Sequence, residues 1–342
     1  MKTSSSFKSR LCLVAALVVP LLGHAHDCHS QTVPGDASTY APLPTTATSP
    51  PLNSRSWRVE HFGRGAYMVA DARYNALFLE WEKGVLLVDA PPSMGDNLAH
   101  AIGNTTRMSV THLVYSHAHV DHIAGASHFP GAKIIAHRDT RELLQRNHDP
   151  RRLVPDIVFD DRYDLHVGNQ SLELTYKGVN HQRGNIFIYA PLQRILMLVD
   201  VIYPGWVPFG YLSDAASVPG VIEAHDRALD FTFDHFIAGH GRAGSRHDVE
   251  TSRAYLDDLK NNCQKAIRLS NDPNSPLSGA KLTKRVLDAN PGNGFAVVKT
   301  LIDSMAHYCG NMTTYNWLGK LGAADVFGYE NAYSMVQSLR LD

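Results

Sequence analysis

Residues 116–122 decide the fold of this chain and point to its chemistry: Ser116-His117-Ala118-His119-Val120-Asp121-His122. They follow residues 112–115, a short run that predicts a buried strand. An extended turn after that strand can present both histidines of the His-x-His pair on one side and the Asp-His pair on the other. Imidazole and carboxylate are the ligands that zinc takes when it keeps an open coordination position. The segment therefore predicts ligands for two neighbouring metal ions, against the alternative of a solvated polar loop.

Three more metal-type residues follow predicted strands elsewhere in the chain. They are His181 after the strand at 172–176, Asp200 at the end of the apolar run 195–199, and His240 after the strand at 236–238. In a layered α/β fold such strand ends converge on one edge, where ligand sites gather. A buried carboxylate is costly unless it is paired or bound to a metal. We therefore expect Asp200 to be a ligand, the alternatives being a capping or ion-paired aspartate and, for the histidines, satisfied core residues.

The remaining periodicities indicate strands that alternate with helices, which is typical of an α/β layered fold. Further strands are predicted at residues 66–69, 76–81, 85–88, 133–136 and 186–189, with a short helix at 140–146. From residue 249 onward the pattern changes, and Tyr255, Leu259, Cys263 and Ile267 recur every four positions, as on one face of a helix. Two more helices are predicted near 295–306 and 329–339.

Composition excludes several classes of protein. The 342 residues carry 32 Lys and Arg against 33 Asp and Glu, so the chain has no electrostatic footprint for nucleic acid or an anionic membrane. A hydrophobic fraction of 44% excludes a disordered chain. The 19 histidines direct attention to metal binding. The expected partner is a small-molecule substrate, and the sequence leaves the oligomeric state open.

The N-terminus predicts export to the periplasm or secretion. Lys2, Lys8 and Arg10 precede an apolar run at residues 11–23, and small residues lead to a cleavage position after Ala25, so residues 1–25 are predicted to be a signal peptide. The run is too short to span a membrane, which takes about 20 apolar residues. No later segment of the sequence is apolar enough to do so.

Residues 26–56 are rich in Pro, Ser and Thr, which predicts a linker without a core of its own, followed by order from about Trp57. Export would place Cys28, Cys263 and Cys309 in an oxidising compartment, and with three cysteines at least one has no partner. Cys263 and Cys309 both lie in the helical C-terminal third, where they can pair.

The combined pattern resembles the metallo-β-lactamase superfamily. The residues that carry the resemblance are His117-x-His119-x-Asp121-His122, then His181, Asp200 and His240. The resemblance implies a four-layer αβ/βα sandwich with a two-metal site at its open edge. We place this domain at residues 57–249 and a helical extension at 250–342.

The resemblance also implies a role for each residue of the pattern. His117, His119 and His181 would hold a first zinc ion; Asp121, His122 and His240 would hold a second; Asp200 resembles the carboxylate that bridges the two. Asp89, which ends the strand at 85–88, resembles the family's aspartate that orients ligand histidines. The expected cofactor is thus two Zn²⁺ per chain, and iron is the less favoured metal.

Two zinc ions roughly 3.5 to 4 Å apart can share a water and lower its pKa towards 7. A metal-bound hydroxide of this kind would attack an ester- or lactone-like carbonyl, with Asp121 accepting or orienting its proton as the catalytic residue. Asp200 stands where antibiotic-hydrolysing relatives with a cysteine ligand have that cysteine. The function predicted from the sequence is therefore an exported dinuclear zinc hydrolase of an ester- or lactone-like substrate.

Three alternative functions stay open. A β-lactam hydrolase of the same fold suits export but not Asp200. A mono-iron, persulfide dioxygenase-like oxidoreductase would use two histidines and one aspartate, and would not need His122 and His240 as ligands. A metal-binding protein without turnover is the third, although the ligand pattern lacks no member.

The residues that bind substrate are not assigned by the sequence. Four aromatic residues follow Asp200 closely: Tyr203, Trp206, Phe209 and Tyr211. We expect them to pack against the C-terminal helices, the alternative being an apolar pocket. Arg183 beside His181 either favours an anionic substrate or is a solvated loop charge.

Overall fold

Two β-sheets packed face to face form the centre of the part of the chain that the computed structural model describes, residues 40–342. The strands of the first sheet pair in chain order: β1 Arg58–Gly63, β2 Ala66–Ala70, β3 Asn75–Trp81, β4 Gly84–Val88, β5 Val110–Val114, β6 Lys133–His137 and β7 Ile157–Phe159. β1 to β4 pair antiparallel, whereas β4 to β7 pair parallel. The apolar runs of β4 to β6 suit this central parallel part, because parallel strands are buried on both faces.

The second sheet has the order β12-β11-β10-β9-β8. Its strands are β8 Arg162–Val167, β9 Gln170–Thr175, β10 Phe187–Ala190, β11 Ile195–Met197 and β12 His235–Ile237. Only the β11–β12 pair is parallel among the pairs of this sheet. As a result β11 and β12 end at the same edge, so the residues that follow them are neighbours.

Helices pack against the outer faces of both sheets, and two short ones lie in the connections between elements. They are α1 Asp96–Thr105, α2 Val120–Ile123, α3 Arg138–Asn147, the short α4 Gly210–Asp214, α5 Val218–Leu229, α6 Arg246–Asn271, α7 Gly279–Ala289, α8 Gly294–Trp317 and α9 Ala324–Leu341. Two 3₁₀ turns, Thr45–Ala47 and Ala126–His128, complete the described elements.

Three apolar cores separate the layers. One lies between the sheets and includes Met68, Leu77, Leu174, Ile188 and Met197. A second lies between the first sheet and α1 and α3, around Phe78, Leu87, Leu98 and Leu144. The third joins the second sheet to α5, α6, α8 and α9, around Phe236, Val221, Leu259, Met305 and Met335. This layering confirms the predicted αβ/βα sandwich with additional C-terminal helices.

All nine predicted strands overlap observed ones, but several strands and helices were not predicted from the sequence: β1, β7, β8, α1, α2, α4, α5 and α7. α5 had a usable signal, because the Ser217 hydroxyl accepts a hydrogen bond from the Gly220 amide as an N-cap, with Pro219 in the first turn. β8 is a half-exposed edge strand, and its alternating pattern Arg-Tyr-Asp-Leu-His-Val buries only Leu165 and Val167. Such a weak apolar signal explains why β8 was missed.

The described part of the predicted linker, residues 40–56, is bonded to the rest of the chain. The Ala41 amide donates to Asp325 on α9, and the Trp206 indole donates to the Ala47 carbonyl. Ala47 itself is buried. Order therefore begins well before Trp57, because backbone groups of a Pro-rich segment can be satisfied by the domain without regular structure.

Two predictions for the N-terminus, the signal peptide at residues 1–25 and the position of Cys28, lie outside the described residues. Among residues 40–342, none of the helices has the length and apolar character that a bilayer crossing demands.

A disulfide between Cys263 and Cys309 joins α6 to α8. Both cysteines are fully buried in the core beneath the second sheet. The bond closes a loop across 46 residues of sequence, which restricts the unfolded chain.

Replacing both cysteines, Cys263→Ser with Cys309→Ser, should lower the free energy of unfolding by about 3 kcal/mol. The measurement is urea unfolding of metal-free protein with and without reductant. Reductant should destabilise the wild type towards the double variant and leave the double variant unchanged. Equal stability of the wild type in both conditions would contradict the disulfide.

Candidate metal centre

Four strand ends meet at one edge of the sandwich. β5 leads to His117, His119 and the short helix α2, β9 leads towards His181, β11 to Asp200 and β12 to His240. Backbone hydrogen bonds hold the converging segments together: the Ile186 amide donates to Ser116 and the Asn75 amide to Gly239. The sheet topology therefore brings together the histidines and the aspartate that the sequence placed at separate strand ends.

The first group of candidate ligands consists of His117, His119, His181 and Asp200. One ligand atom from each lies within 4.8 Å of the others. The Nε2 atoms of His117 and His181 are 3.7 Å and 3.6 Å from Oδ2 of Asp200. This spacing is suited to a cation held between the four donors.

The second group consists of His122, Asp200 and His240. Nε2 of His122 lies 3.0 Å from Oδ2 of Asp200, and Nε2 of His240 lies 3.0 Å from its Oδ1. Asp200 thus belongs to both groups, and its two oxygens contact different histidines.

The donor atoms fit a metal because several are buried without a hydrogen bond among the described residues, and lie close to other members of the two groups. Nε2 of His117, Nε2 of His122 and Oδ1 of Asp200 are inaccessible to solvent and make no hydrogen bond there. A buried polar atom left unpaired costs about 1–3 kcal/mol. Cations bound at the two groups would satisfy these three atoms.

The electrostatics of the site keep some histidines ready to coordinate. Burial lowers the pKa of His119 to about 4 and that of His117 well below its usual range. Burial alone would raise the pKa of Asp200, but His122 and His240 hold it well below its usual range. Burial alone would lower the pKa of His122, but the charge of Asp200 raises it to about 9. Metal binding at His122 must therefore displace a proton.

Asp89 contacts the His-rich segment 116–122 at two points. It follows β4 directly with a φ of 61°, and its Oδ1 accepts a hydrogen bond from the Ser116 amide. Its Oδ2 lies 3.9 Å from Nδ1 of His122, and burial raises the pKa of Asp89 to about 6. Asp200 has the same left-handed backbone, with a φ of 59°. Aspartate tolerates this conformation better than most residues, and such strain is common at functional sites.

Gly239 makes room for the shared carboxylate. A Cβ at this position would lie 2.8 Å from the His122 ring and 2.9 Å from Oδ1 of Asp200. The residue before His240 must therefore lack a side chain if the segment after β12 is to lie this close to the His122 ring and the Asp200 carboxylate.

His181 is oriented by an unusual turn. Its Nδ1 contacts the Ser213 carbonyl at 2.6 Å, which leaves Nε2 to face the ligand group. Ser213 lies in α4, where Tyr211, Leu212 and Ser213 have left-handed dihedrals. The buried Asn331 of α9 accepts a hydrogen bond from the Leu212 amide and donates one to the Pro208 carbonyl. The C-terminal helix therefore fastens the turn that sets the His181 ring.

Asp121 lies beside the two groups rather than within either of them. Its Oδ2 is 3.9 Å from Nε2 of His122 and accepts a hydrogen bond from the Tyr74 hydroxyl. Burial and the Asp121 charge raise the pKa of Tyr74 to about 12, so the phenol stays protonated. The Asp121 side chain is 43% exposed, which leaves it accessible to a small molecule.

Sequence reasoning missed Tyr74, Ser213 and Asn331, because each reaches the site from an element without a metal-ligand pattern. Arg183, for which a substrate role was an alternative, forms an ion pair with Asp139. Two of the four aromatic residues contact α9: the Phe209 ring lies 5.9 Å from that of Phe327, and the Tyr211 ring 6.3 Å from that of Tyr333. Tyr203, Trp206 and Phe209 also line a cavity beside His240.

Single substitutions should separate the two ligand groups. His119→Ala and His240→Ala should each lower the metal content by about one ion per chain, and Asp200→Ala should affect both positions. The measurement is elemental mass spectrometry on dialysed protein, with the exposed His247→Ala as the matched control. A loss for Asp200→Ala no larger than the loss for either histidine variant would contradict two groups that share a carboxylate.

Asn331→Leu should weaken metal binding at the first group about tenfold, because the turn that orients His181 loses both of its bonds to α9. Thr313→Val, which removes a buried hydroxyl of α8 away from the turn, is the control. The measurement is competition for metal with a chromophoric chelator. An unchanged affinity in a folded Asn331 variant would show that α9 does not set His181.

Comparisons with known proteins agree with this geometry. The family model of the Metallo-beta-lactamase superfamily matches residues 71–261. The chain is 25% identical over 296 residues to the 2,4-dinitroanisole O-demethylase subunit alpha of Nocardioides sp. (strain JS1661), which covers 82% of this chain and 86% of that protein. It is 24% identical over 176 residues to the metallo-beta-lactamase type 2 of Elizabethkingia meningoseptica, over 48% of this chain and 68% of the relative.

Among solved structures, the metallo-beta-lactamase from Pontibacter korlensis superposes with a TM-score of 0.53 at 19% identity. The match covers 59% of this chain and 99% of that one, and at this identity it speaks for the fold alone. Since the family match spans more than half of the residues, the chain belongs to the metallo-β-lactamase superfamily.

Proposed function

We propose that this protein is a metal-dependent hydrolase that holds two zinc ions and cleaves an ester- or lactone-like substrate. The observation that carries the proposal is the position of Asp200, whose two carboxylate oxygens each lie 3.0 Å from a histidine and which belongs to both ligand groups. A single-metal site has no use for a second set of donors around the same carboxylate. The His/Asp cluster is therefore suited to a pair of cations.

The two ions, when bound, would lower the pKa of a shared water and polarise the oxygen of the substrate. The protein would hold the first with His117, His119 and His181, and the second with His122 and His240. Asp200 would contact both. Asp121 stands at the open side of the second group, as a further candidate ligand or as the base.

Asp121 is the residue best placed to handle a proton. Its carboxylate is partly exposed and held through one oxygen by the protonated Tyr74 hydroxyl. The other oxygen is then available to accept a proton from an attacking water. The Tyr74 hydroxyl would keep the carboxylate in a fixed orientation during that transfer.

We also propose that the protein acts outside the cytoplasm. The basic and apolar pattern of residues 1–25 supports export. The disulfide between Cys263 and Cys309 supports it independently, because such bonds persist in oxidising compartments.

The second candidate function is hydrolytic cleavage of an activated aryl methyl ether. It is favoured by the relative named 2,4-dinitroanisole O-demethylase subunit alpha, whose match covers 82% of this chain. The balanced reaction would consume one water molecule and cleave the ether, so that the products are the phenol and methanol. A β-lactam substrate has support from the lactamase relatives, which match a smaller share of the chain.

The test is the metal content of protein exported by its own leader and purified without added metal, measured together with turnover. We expect about two zinc ions per chain and hydrolysis of at least one member of a panel of aryl esters, lactones, β-lactams and 2,4-dinitroanisole. Chelation should abolish turnover and zinc should restore it. About one iron without zinc, together with oxygen-dependent turnover, would overturn the hydrolase in favour of the dioxygenase-like alternative.

A further inference from the structure

A cavity of about 560 Å³ opens beside the candidate metal centre. His240 and Tyr74 are among the residues that line it, so the cavity and the second ligand group share a boundary. Pockets of roughly 300–1,000 Å³ are typical of small-molecule sites. A substrate whose reactive group reaches His240 would therefore extend its remaining atoms into this space.

The walls of the cavity are mainly aromatic and aliphatic. Tyr203, Trp206 and Phe209 come from the segment after Asp200, and Val326 and Phe327 come from α9. The rings of Phe209 and Phe327 lie 5.9 Å apart at an angle of 53°, and the ring of Phe209 lies 5.3 Å from that of His240. Rings at these distances and angles present edges and faces to which another aromatic group binds well.

Charge is sparse around the cavity. Of the described residues that line it, Arg73 is the only lysine, arginine, aspartate or glutamate, and its side chain is exposed. The interior thus favours an uncharged apolar group over a carboxylate or an ammonium ion.

The walls are fixed in place before any ligand binds. The Trp206 indole donates to the Ala47 carbonyl, and the Gly322 amide donates to the Gly205 carbonyl. Gly205 has a φ of 83°, and a Cβ there would lie 2.0 Å from the Thr46 carbonyl oxygen. Three separate segments therefore form a preformed pocket, which lowers the ordering cost of binding.

From the cavity, its walls and its position we infer that this pocket binds an aromatic group of the substrate, with Phe327 of α9 as a specificity-determining residue. The inference rests on the proposed hydrolase function for its kinetic test, but not for its binding test. It assigns a role to the C-terminal helices, which supply one wall of the pocket.

The kinetic test compares 2-naphthyl acetate with methyl acetate, which share the acetyl group and differ in the apolar part. Phe327→Ala should raise KM for the naphthyl ester about tenfold and KM for methyl acetate much less, because methyl acetate does not reach Phe327. Phe295→Ala is the matched control, because Phe295 lies on α8 with its side chain 90% exposed. Equal KM changes for both esters, or none for the naphthyl ester, would overturn the inference.

Val326→Trp is a second variant that keeps the inference testable if Phe327→Ala does not fold. Val326 lines the cavity and is 36% exposed, so a larger ring there would fill the cavity without removing a core side chain. This variant should likewise weaken binding of the naphthyl ester, and not that of methyl acetate.

A binding test separates the pocket from the reaction. 2-Acetamidonaphthalene should bind the wild type and the Phe295 variant, and bind Val326→Trp at least tenfold more weakly, as measured by calorimetry. If neither these esters nor any member of the substrate panel is hydrolysed but this difference is found, the proposed function fails and the aromatic pocket stands. If the wild type does not bind the naphthalene probe, or all variants bind it equally, the pocket inference is wrong.

Discussion

The buried carboxylate of Asp200 is the constraint on which the rest of the site depends. A carboxylate without water is strongly unfavourable unless cations or hydrogen-bond donors surround it. Here histidines from three separate segments approach it, and His122 and His240 lie at 3.0 Å. The parallel pairing of β11 with β12, the left-handed backbone of Asp200 and the missing side chain of Gly239 all serve this approach. A buried carboxylate in such a site is stable only when a positive charge, from a metal ion or a protonated histidine, lies beside it.

The C-terminal helices contribute directly to the candidate metal centre and to the cavity beside it. Asn331 of α9 fastens the left-handed turn whose Ser213 carbonyl orients His181. One turn earlier on the same helix, Phe327 faces the cavity beside His240. A single helix thus connects the first ligand group with the pocket at the second. The disulfide between α6 and α8 stabilises the layer against which α9 packs.

The grouping of the candidate ligands could be predicted from the sequence because each lies shortly after an apolar strand. Strand ends in an α/β sandwich converge, so a local pattern was enough to place His117, His181 and Asp200 at one edge. The structure brings these residues together, and Asp121 lies next to them, bonded to Tyr74.

What the sequence did not show depends on contacts between distant segments. The left-handed turn at Tyr211 to Ser213 contains no glycine or asparagine, the residues that usually indicate this conformation. It is held by a hydrogen bond to Asn331, more than a hundred residues later in the sequence. Phe327 and Tyr74 have the sequence context of ordinary helix and loop residues. The bonding of residues 40–56 to the domain was also hidden, because a Pro-rich composition by itself indicates a linker.

The most direct test of the account is anomalous X-ray diffraction from crystals of the protein as purified, with data collected at the zinc and iron absorption edges. We expect two zinc peaks, one among His117, His119 and His181, the other beside His122 and His240, with the Asp200 carboxylate between them. A single peak that does not contact Asp200, or a signal at the iron edge alone, would contradict the claim that this carboxylate organises a two-zinc centre.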